Sequence, residues 1–427
     1  MSGNVLATFS ADIVRECADG SASFADNVKQ KLEPILGVSR YQLRLYHGDA
    51  LVSAACPVDN LTFPWDLHVV VLQYAAGEEG VKQGFTLVSA CHRGNLSEVD
   101  RLLTMPTDPN NPDMEMLPLH YAVEGGHREV VDLLLLAKAK VNCQDYTGAT
   151  PLRRAAGSNR CEMVRHLLEA RGATELADNR GWTPLYAASL MGLLEVSQQL
   201  LEARADSRAL SPTSRHNPGP LLTAVENDDS RMFELLVAAR ADVNQGKLSW
   251  TPLMSAADQD LPSMALRLIA ARAGLNKSDA AQGRRTALII AAERGHARVV
   301  SHLVAARADL ERRDSRGFTA LLKAATSSLR CARLLVEGKA DVNGSTRPKY
   351  WSFCRGRTPS WFAAATGQTE LLEFLAEQAA NLEQADSKGD TPLHAALRHC
   401  REQAVRFLRT HAPRLGAQPV TPSVKGS

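Results

Sequence analysis

Pro118, Pro151 and Pro184 recur at intervals of 33 residues, each in a T/L-P-L context. A recurrence of this length identifies a chain of stacked supersecondary units, none of which can bury its own apolar face alone. The frame continues through Pro220, Pro252, Ala287, Ala320, Pro359 and Pro392, and a degenerate copy at Phe85-Thr86-Leu87 precedes it, giving about ten copies. Within each copy the residue types dictate two short helices. Proline in a first helical turn sacrifices no hydrogen bond, and the Thr before it is placed to cap. The small pairs Ala155-Ala156, Ala187-Ala188, Ala256-Ala257, Ala291-Ala292 and Ala324-Ala325 let neighbouring first helices lie close together. Gly126, Gly192, Gly295 and Gly367 fall where the first helix must end in a left-handed residue. Pairs such as Val299-Val300 and Leu371-Leu372 give the second helix a buried face.

The best copy, Leu117-Pro118-Leu119-His120-Tyr121-Ala122 through Gly125-Gly126-His127 to Leu133-Leu134-Leu135, resembles the ankyrin pattern T-P-L-H-x-A…G-H-x-x-V-V-x-L-L-L. Segments such as Ala241-Asp242-Val243-Asn244 and Ala340-Asp341-Val342-Asn343, followed by Asp-x-x-Gly at Asp145, Asp178, Asp314 and Asp386, spell hairpin-like fingers closed by tight turns. The resemblance covers roughly Gly84 to His411. It implies a predominantly α fold, an ankyrin solenoid over 84–412, with polar end repeats. The final copy meets that need with Arg398, Arg401, Arg406 and Arg409. Residues 413–427 read as a disordered tail.

The first 76 residues follow a different pattern. Strand-like stretches at Asn4–Phe9 and Ile13–Cys17, a helix-like Ser23–Leu36, then strand-like Tyr41–Tyr46 and Leu67–Tyr74 give a β-β-α-β-β order. Asp26–Leu32, Gln42–Gly48 and Leu67–Val71 resemble the helix, third strand and last strand of ubiquitin. The expectation is a small α+β ubiquitin-like β-grasp domain over 1–76, joined by a linker at 77–83. No free Gly-Gly terminus follows its last strand, so conjugation is not expected. The resemblance places the family's recognition patch at Tyr46, His68 and Val70, although Tyr46 stands where an aliphatic residue is usual.

Composition excludes several functions. Lys plus Arg is 49 against 47 Asp plus Glu, a net +2 that provides no general field for nucleic acid or anionic lipid. The eight cysteines are scattered without zinc-like or disulfide-like spacing. No apolar run nears the roughly 18 residues of a membrane span, and no secretory leader pattern begins the chain. No phosphate loop, nucleophile elbow or metalloprotease helix occurs. His120, His394, His127 and His296 occupy positions at which the ankyrin resemblance implies inter-repeat hydrogen bonding. The expectation is therefore a non-enzymatic, monomeric, cytoplasmic protein, with the nucleus left open. It takes other proteins as partners and uses no cofactor, metal, small-molecule substrate, specific nucleic acid or membrane.

The ankyrin resemblance places partners on the concave face and fingers. Trp182, Trp250 and Phe318, each just before a Thr, are candidate anchors there, with packing between fingers as the alternative. Charges on the same side are mixed, so the partner's sign stays open. The function expected is a scaffold or adaptor. The alternative is a ubiquitin-pathway adaptor that docks a receptor or the proteasome through Tyr46, His68 and Val70 while the repeats hold a client. One interval departs from the frame: Ala320 to Pro359 spans 39 residues, six more than usual. The excess falls in Gly344–Arg357, where Tyr350, Trp351 and Phe353 stand among Arg347, Lys349, Arg355 and Arg357, the composition of a binding loop. The double change Trp351→Ala and Phe353→Ala is expected to abolish partner capture at an unchanged melting temperature. A lowered melting temperature with capture intact identifies the rings as packing.

Overall fold

The computed structural model describes residues 5–8, 24–47, 50–52, 67–72, 77–105, 107–111, 117–208, 218–246, 249–280, 283–347 and 355–411. The chain forms two compact units, 1–216 and 217–427.

The first unit begins with strand β1 (Val5–Thr8), helix α1 (Phe24–Leu36) and strands β2 (Leu43–His47), β3 (Ala50–Leu51) and β4 (Leu67–Val71). The sheet order is β1-β4-β2-β3, antiparallel at every pairing. Alternation along β2 turns Leu43 and Leu45 to one face, where they meet Val69 and the α1 stripe Ala25, Val28 and Leu32 in a small core. Tyr41, expected to open a strand, sits instead in a 3₁₀ turn, Arg40–Gln42, capped by Ser39. The strand candidate Ile13–Cys17 lies outside the described residues. An α+β layer is therefore present, and a ubiquitin-like identity does not follow from it. Residues 77–83, expected as a linker, are the first turns of helix Gly77–Arg93.

Four helix pairs complete this unit: Gly77–Arg93 with Leu96–Leu103, Pro118–Gly125 with Arg128–Leu136, Pro151–Gly157 with Cys161–Glu169, and Pro184–Leu190 with Leu194–Glu202. The second unit holds six more: Pro220–Glu226 with Ser230–Ala238, Pro252–Asp258 with Pro262–Ala270, Ala287–Arg294 with Ala297–Ala305, Ala320–Ser327 with Leu329–Glu337, Pro359–Thr366 with Thr369–Glu377, and Pro392–Arg398 with Glu402–His411. These are repeats one to ten. The expected caps are in place: the hydroxyls of Thr150, Thr183, Thr251, Thr286, Thr319, Thr358 and Thr391 each accept the backbone N–H three residues on. Gly126, Gly295 and Gly367 end first helices in the left-handed region. In the eighth repeat that turn is lost, and Ser328 both ends one helix and caps the next.

Within the two units, seven steps between neighbouring repeats are joined by a side-chain oxygen. Asn110, Asn142 and Glu175 accept the backbone N–H of Lys140, Ala173 and Asp206 at 2.7, 2.7 and 2.9 Å. Asn244, Asn276, Glu311 and Asn343 do the same for Gly274, Asp309, Asp341 and Asn381 at 2.6 to 3.0 Å. The Asn that closes the Ala-Asp-Val-Asn segment is thus a coupling element as well as a turn residue. A second regularity is absent from the ankyrin-based expectation. After each second helix from the second repeat to the eighth, Lys138, Arg171, Arg204, Arg240, Arg272, Arg307 and Lys339 adopt positive φ between 61° and 71°. A basic side chain there complements the helix C-terminal dipole, offsetting part of a left-handed penalty of roughly 1–2 kcal/mol.

Leu288 is 1% exposed at the centre of the seventh repeat. Leu288→Ala is expected to lower stability by about 2–5 kcal/mol in urea denaturation. Leu266→Ala, on a side chain 47% exposed, is expected to stay within about 0.5 kcal/mol.

Candidate interaction surface

The fingers owe their shape to one carboxylate each. Asp314 Oδ1 accepts the N–H groups of Arg316 and Phe318 at 2.9 and 2.8 Å, and Asp386 Oδ1 those of Lys388 and Asp390 at 2.8 and 3.0 Å. Asp145 and Asp178 close their turns in the same way. The remaining oxygen faces a cation: Asp145 meets Arg154 at 2.7 Å, Asp178 Arg153 at 2.5 Å, Asp314 Lys323 at 3.5 Å and Asp386 Arg357 at 3.3 Å. Burial opposes the charge on Asp145, but its bonds from Thr147, Arg154 and the Ala149 N–H outweigh that cost and hold its carboxyl below the ordinary value.

The three aromatic candidates are all half-buried at finger bases. Trp182 lies between Arg153 and Arg180, whose guanidinium carbons are 5.6 and 5.5 Å from its ring centre, with Tyr186 edge-on at 5.6 Å. In the second unit, Trp250 and Phe318 belong to one continuous run of contacts. Arg285 lies 5.8 Å from the Trp250 ring and bonds Glu293 at 3.4 Å, and Glu293 bonds Lys323 at 2.7 Å. Lys323 lies 4.9 Å from the Phe318 ring, which tilts against Phe362 at 5.5 Å. Phe362 meets Trp361 at 5.2 Å, and Arg357 stacks 3.8 Å from the Trp361 ring. The rings therefore pack against neighbours and retain a solvent-facing side, which combines the two alternatives weighed for them. Trp361 was not anticipated. Its signal was available, because it fills the His position of the repeat pattern in Thr358-Pro359-Ser360-Trp361. It is 5% exposed and its indole N–H has no acceptor among the described residues.

The long finger is pinched at its base. Thr346 N–H donates to Arg357 O and Gly356 N–H to Thr346 O, both at 2.9 Å, while the Arg357 N–H donates to Thr346 Oγ1 at 3.0 Å. Arg355 is exposed beside this closure. Tyr350, Trp351 and Phe353 lie outside the described residues.

On the N-terminal sheet the backbone of Tyr46 pairs with that of His68 and the backbone of Arg44 with that of Val70, and Tyr46 and Val70 share the face turned away from α1. That face is not wholly free: Arg44 donates to Thr104 O of the first repeat. Ser39 Oγ donates to Leu136 O at 3.2 Å, and Glu33 pairs with Lys138 at 3.1 Å, tying the same layer to the second repeat.

The histidines divide. His120 Nε2 bonds Ala149 O at 2.9 Å, His127 Nε2 bonds His92 O at 3.1 Å and His296 Nδ1 bonds Ala257 O at 2.9 Å, each joining repeats. His394 instead bonds its own capping Thr391. Burial lowers the His120 pKa and pushes the Cys91 and Cys143 thiols up to about 12, which leaves them protonated and unreactive near neutrality. Among the described residues no group of three or more His, Cys, Asp or Glu is placed to hold a metal ion, and no helix is long and apolar enough to cross a membrane.

Residues 69–145, 87–175, 133–210, 253–346 and 341–419 match the family described as ankyrin repeats (3 copies). Among curated proteins the chain is similar to "Ankyrin repeat and KH domain-containing protein mask" of Drosophila melanogaster, at 34% identity over 111 residues, 26% of this chain and 3% of that protein. It is equally similar to human "Ankyrin repeat and KH domain-containing protein 1", at 34% over 110 residues, 26% of this chain and 4% of that protein. A probable E3 ubiquitin-protein ligase of Oryza sativa subsp. japonica matches at 38% over 80 residues, 17% of this chain and 15% of the ligase. The chain thus spans only a small part of the length of these relatives.

Lys323 is 12% exposed and serves both Glu293 and the buried Asp314. Lys323→Met is expected to cost about 1–3 kcal/mol, read as a lowered urea midpoint, because it leaves the second oxygen of Asp314 without its cation.

Proposed function

Since the chain belongs to the ankyrin-repeat family, we propose that it is a non-catalytic scaffold or adaptor that binds other proteins through the first-helix face and fingers of its repeats. The run from Trp250 to Arg357 carries this reading. Trp250 and Phe318, each beside a cation and half-exposed, offer large contact area at little cost in rotamer entropy. The composition of the long finger, three rings among four cations, supports a binding role for it. A reducing compartment such as the cytoplasm is supported by free thiols at Cys91, Cys143, Cys161, Cys331 and Cys400. The monomeric state is proposed with it.

The N-terminal layer is proposed as a ubiquitin-like β-grasp domain on the order of its elements, with its role being to cover the second helices of repeats one and two. Receptor docking through Tyr46, His68 and Val70 loses support because Arg44, on that face, is engaged with Thr104.

Affinity purification of the full chain with mass spectrometry tests the reading. Partners are expected to be retained by the wild type and lost from a Trp250→Ala, Phe318→Ala variant that still shows its helical signal and cooperative melting. Capture of no partner, or of the same partners by both chains, overturns it.

A further inference from the structure

Charge in the second unit is segregated in a way that the chain's net +2 conceals. The fingers leading into repeats seven, eight and nine, residues 277–285, 311–317 and 343–357, hold ten Lys and Arg against three Asp and Glu. All three carboxylates are engaged. Asp279 is buried against Arg285, Asp314 closes its turn and faces Lys323, and Glu311 accepts the Asp341 N–H. Arg284 and Arg316 are exposed at their turns, and Arg347 and Arg355 at the closure of the long finger, and none of them is paired with a carboxylate among the described residues. The pKa of Arg313, in the second of these fingers, is lowered first by burial and then by the nearby Arg347.

The tips are also held in place. Ser315 N–H donates to Gly283 O at 2.7 Å, and Arg347 N–H to Gly317 O at 3.3 Å, lacing three fingers tip to tip. Between the first two lies a cavity of about 450 Å³ lined by Gly283, Arg285, Glu293, Asp314, Arg316 and Lys323, among other residues. A row fixed in this way recognises charge without first losing the entropy of ordering its loops.

We propose that this row binds an extended acidic protein segment carrying a carboxylate at every third residue. The proposal rests on the protein-binding reading above and specifies the partner's chemistry. Stacked helices lie about 8–10 Å apart, so successive tips repeat at about that distance. A chain in the polyproline II conformation advances about 3.1 Å per residue with three residues per turn, so three residues span one finger step and side chains three apart share one face. Side chains at i, i+3 and i+6 then meet Arg284, Arg316 and Arg355 in turn, and Arg347 adds a second cation at the third finger. The cations stand one finger step apart rather than at the closer spacing of about 3.4 Å between charges along a nucleic-acid strand, which favours a protein segment with spaced carboxylates over a nucleic acid.

The test is fluorescence anisotropy of the full chain at low ionic strength with a labelled peptide bearing four Glu separated by Gly-Ser pairs. Three further probes are titrated: a peptide of the same composition with its Glu contiguous, the Gln counterpart, and a single-stranded DNA of equal charge. The spaced peptide is expected to bind tightest and to weaken as salt rises. The double change Arg316→Glu, Arg355→Glu is expected to weaken it at least about tenfold with the melting temperature unchanged. Equal binding of the contiguous peptide, tighter binding of the DNA, or indifference to the double change overturns the proposal. If no peptide binds while the partners captured by the full chain are still lost on Trp250→Ala, Phe318→Ala, this inference falls and the scaffold reading stands. Loss of both results removes both.

Discussion

A side-chain oxygen that leaves its own repeat to accept a backbone N–H in the next is the contact on which the stacking depends. Apolar faces give a repeat its affinity for a neighbour, but packing of alanines and leucines tolerates sliding. A hydrogen bond of 2.7 Å that Asn142 or Asn343 accepts from one backbone N–H, 31 or 38 residues on, does not. It sets the register of each step, and the fingers inherit their alignment from it. Where Glu175 and Glu311 replace Asn, a longer side chain makes the same bond, so the position requires an oxygen rather than one residue type.

Finger carboxylates then decide what the surface can offer. Asp145, Asp178, Asp314 and Asp386 each close their own turn with one oxygen and neutralise a cation with the other, on a first helix for the first three and at Arg357 of the preceding finger for Asp386, so their negative charge is consumed internally. What remains outward is set by the tip residue. In the fingers of repeats seven to nine that residue is basic or sits beside a basic one. The concave face beneath is held by alternating rings and cations, with Glu293 bridging Arg285 and Lys323. Burial resists ionisation of that carboxyl, yet its two cationic partners keep its pKa below the ordinary value.

Much of this was legible in the residues. The 33-residue frame, the Thr caps and the glycine turns follow from local chemistry that leaves few alternatives, and the helices begin where Pro and Thr place them. The unanticipated features come from contacts between distant residues. Nothing local distinguishes an Asn that turns its own chain from one that also bonds the next repeat. Trp361 lies four positions after the residue that precedes its Thr, at the His position of the pattern, where nothing local distinguishes a ring in the chain of aromatic contacts from an imidazole that joins repeats. The first turns of Gly77–Arg93 read as a linker because their Gly and Glu content lacks an apolar stripe, and the helix draws its support from the repeat that follows. In the N-terminal layer, residue order identified α1, β2 and β4. Short strands pair according to partners that a linear pattern does not name.

The row of left-handed Lys and Arg residues at the ends of the second helices places a small, repeated strain at the same point in seven repeats. Glycine would relax the backbone at each of these positions, while releasing more freedom in the unfolded chain and forfeiting a favourable charge at the helix end. The two effects are of similar size and opposite sign. These positions can therefore drift between glycine and a basic residue at nearly constant stability, so the charge of this edge is free to vary independently of the fold.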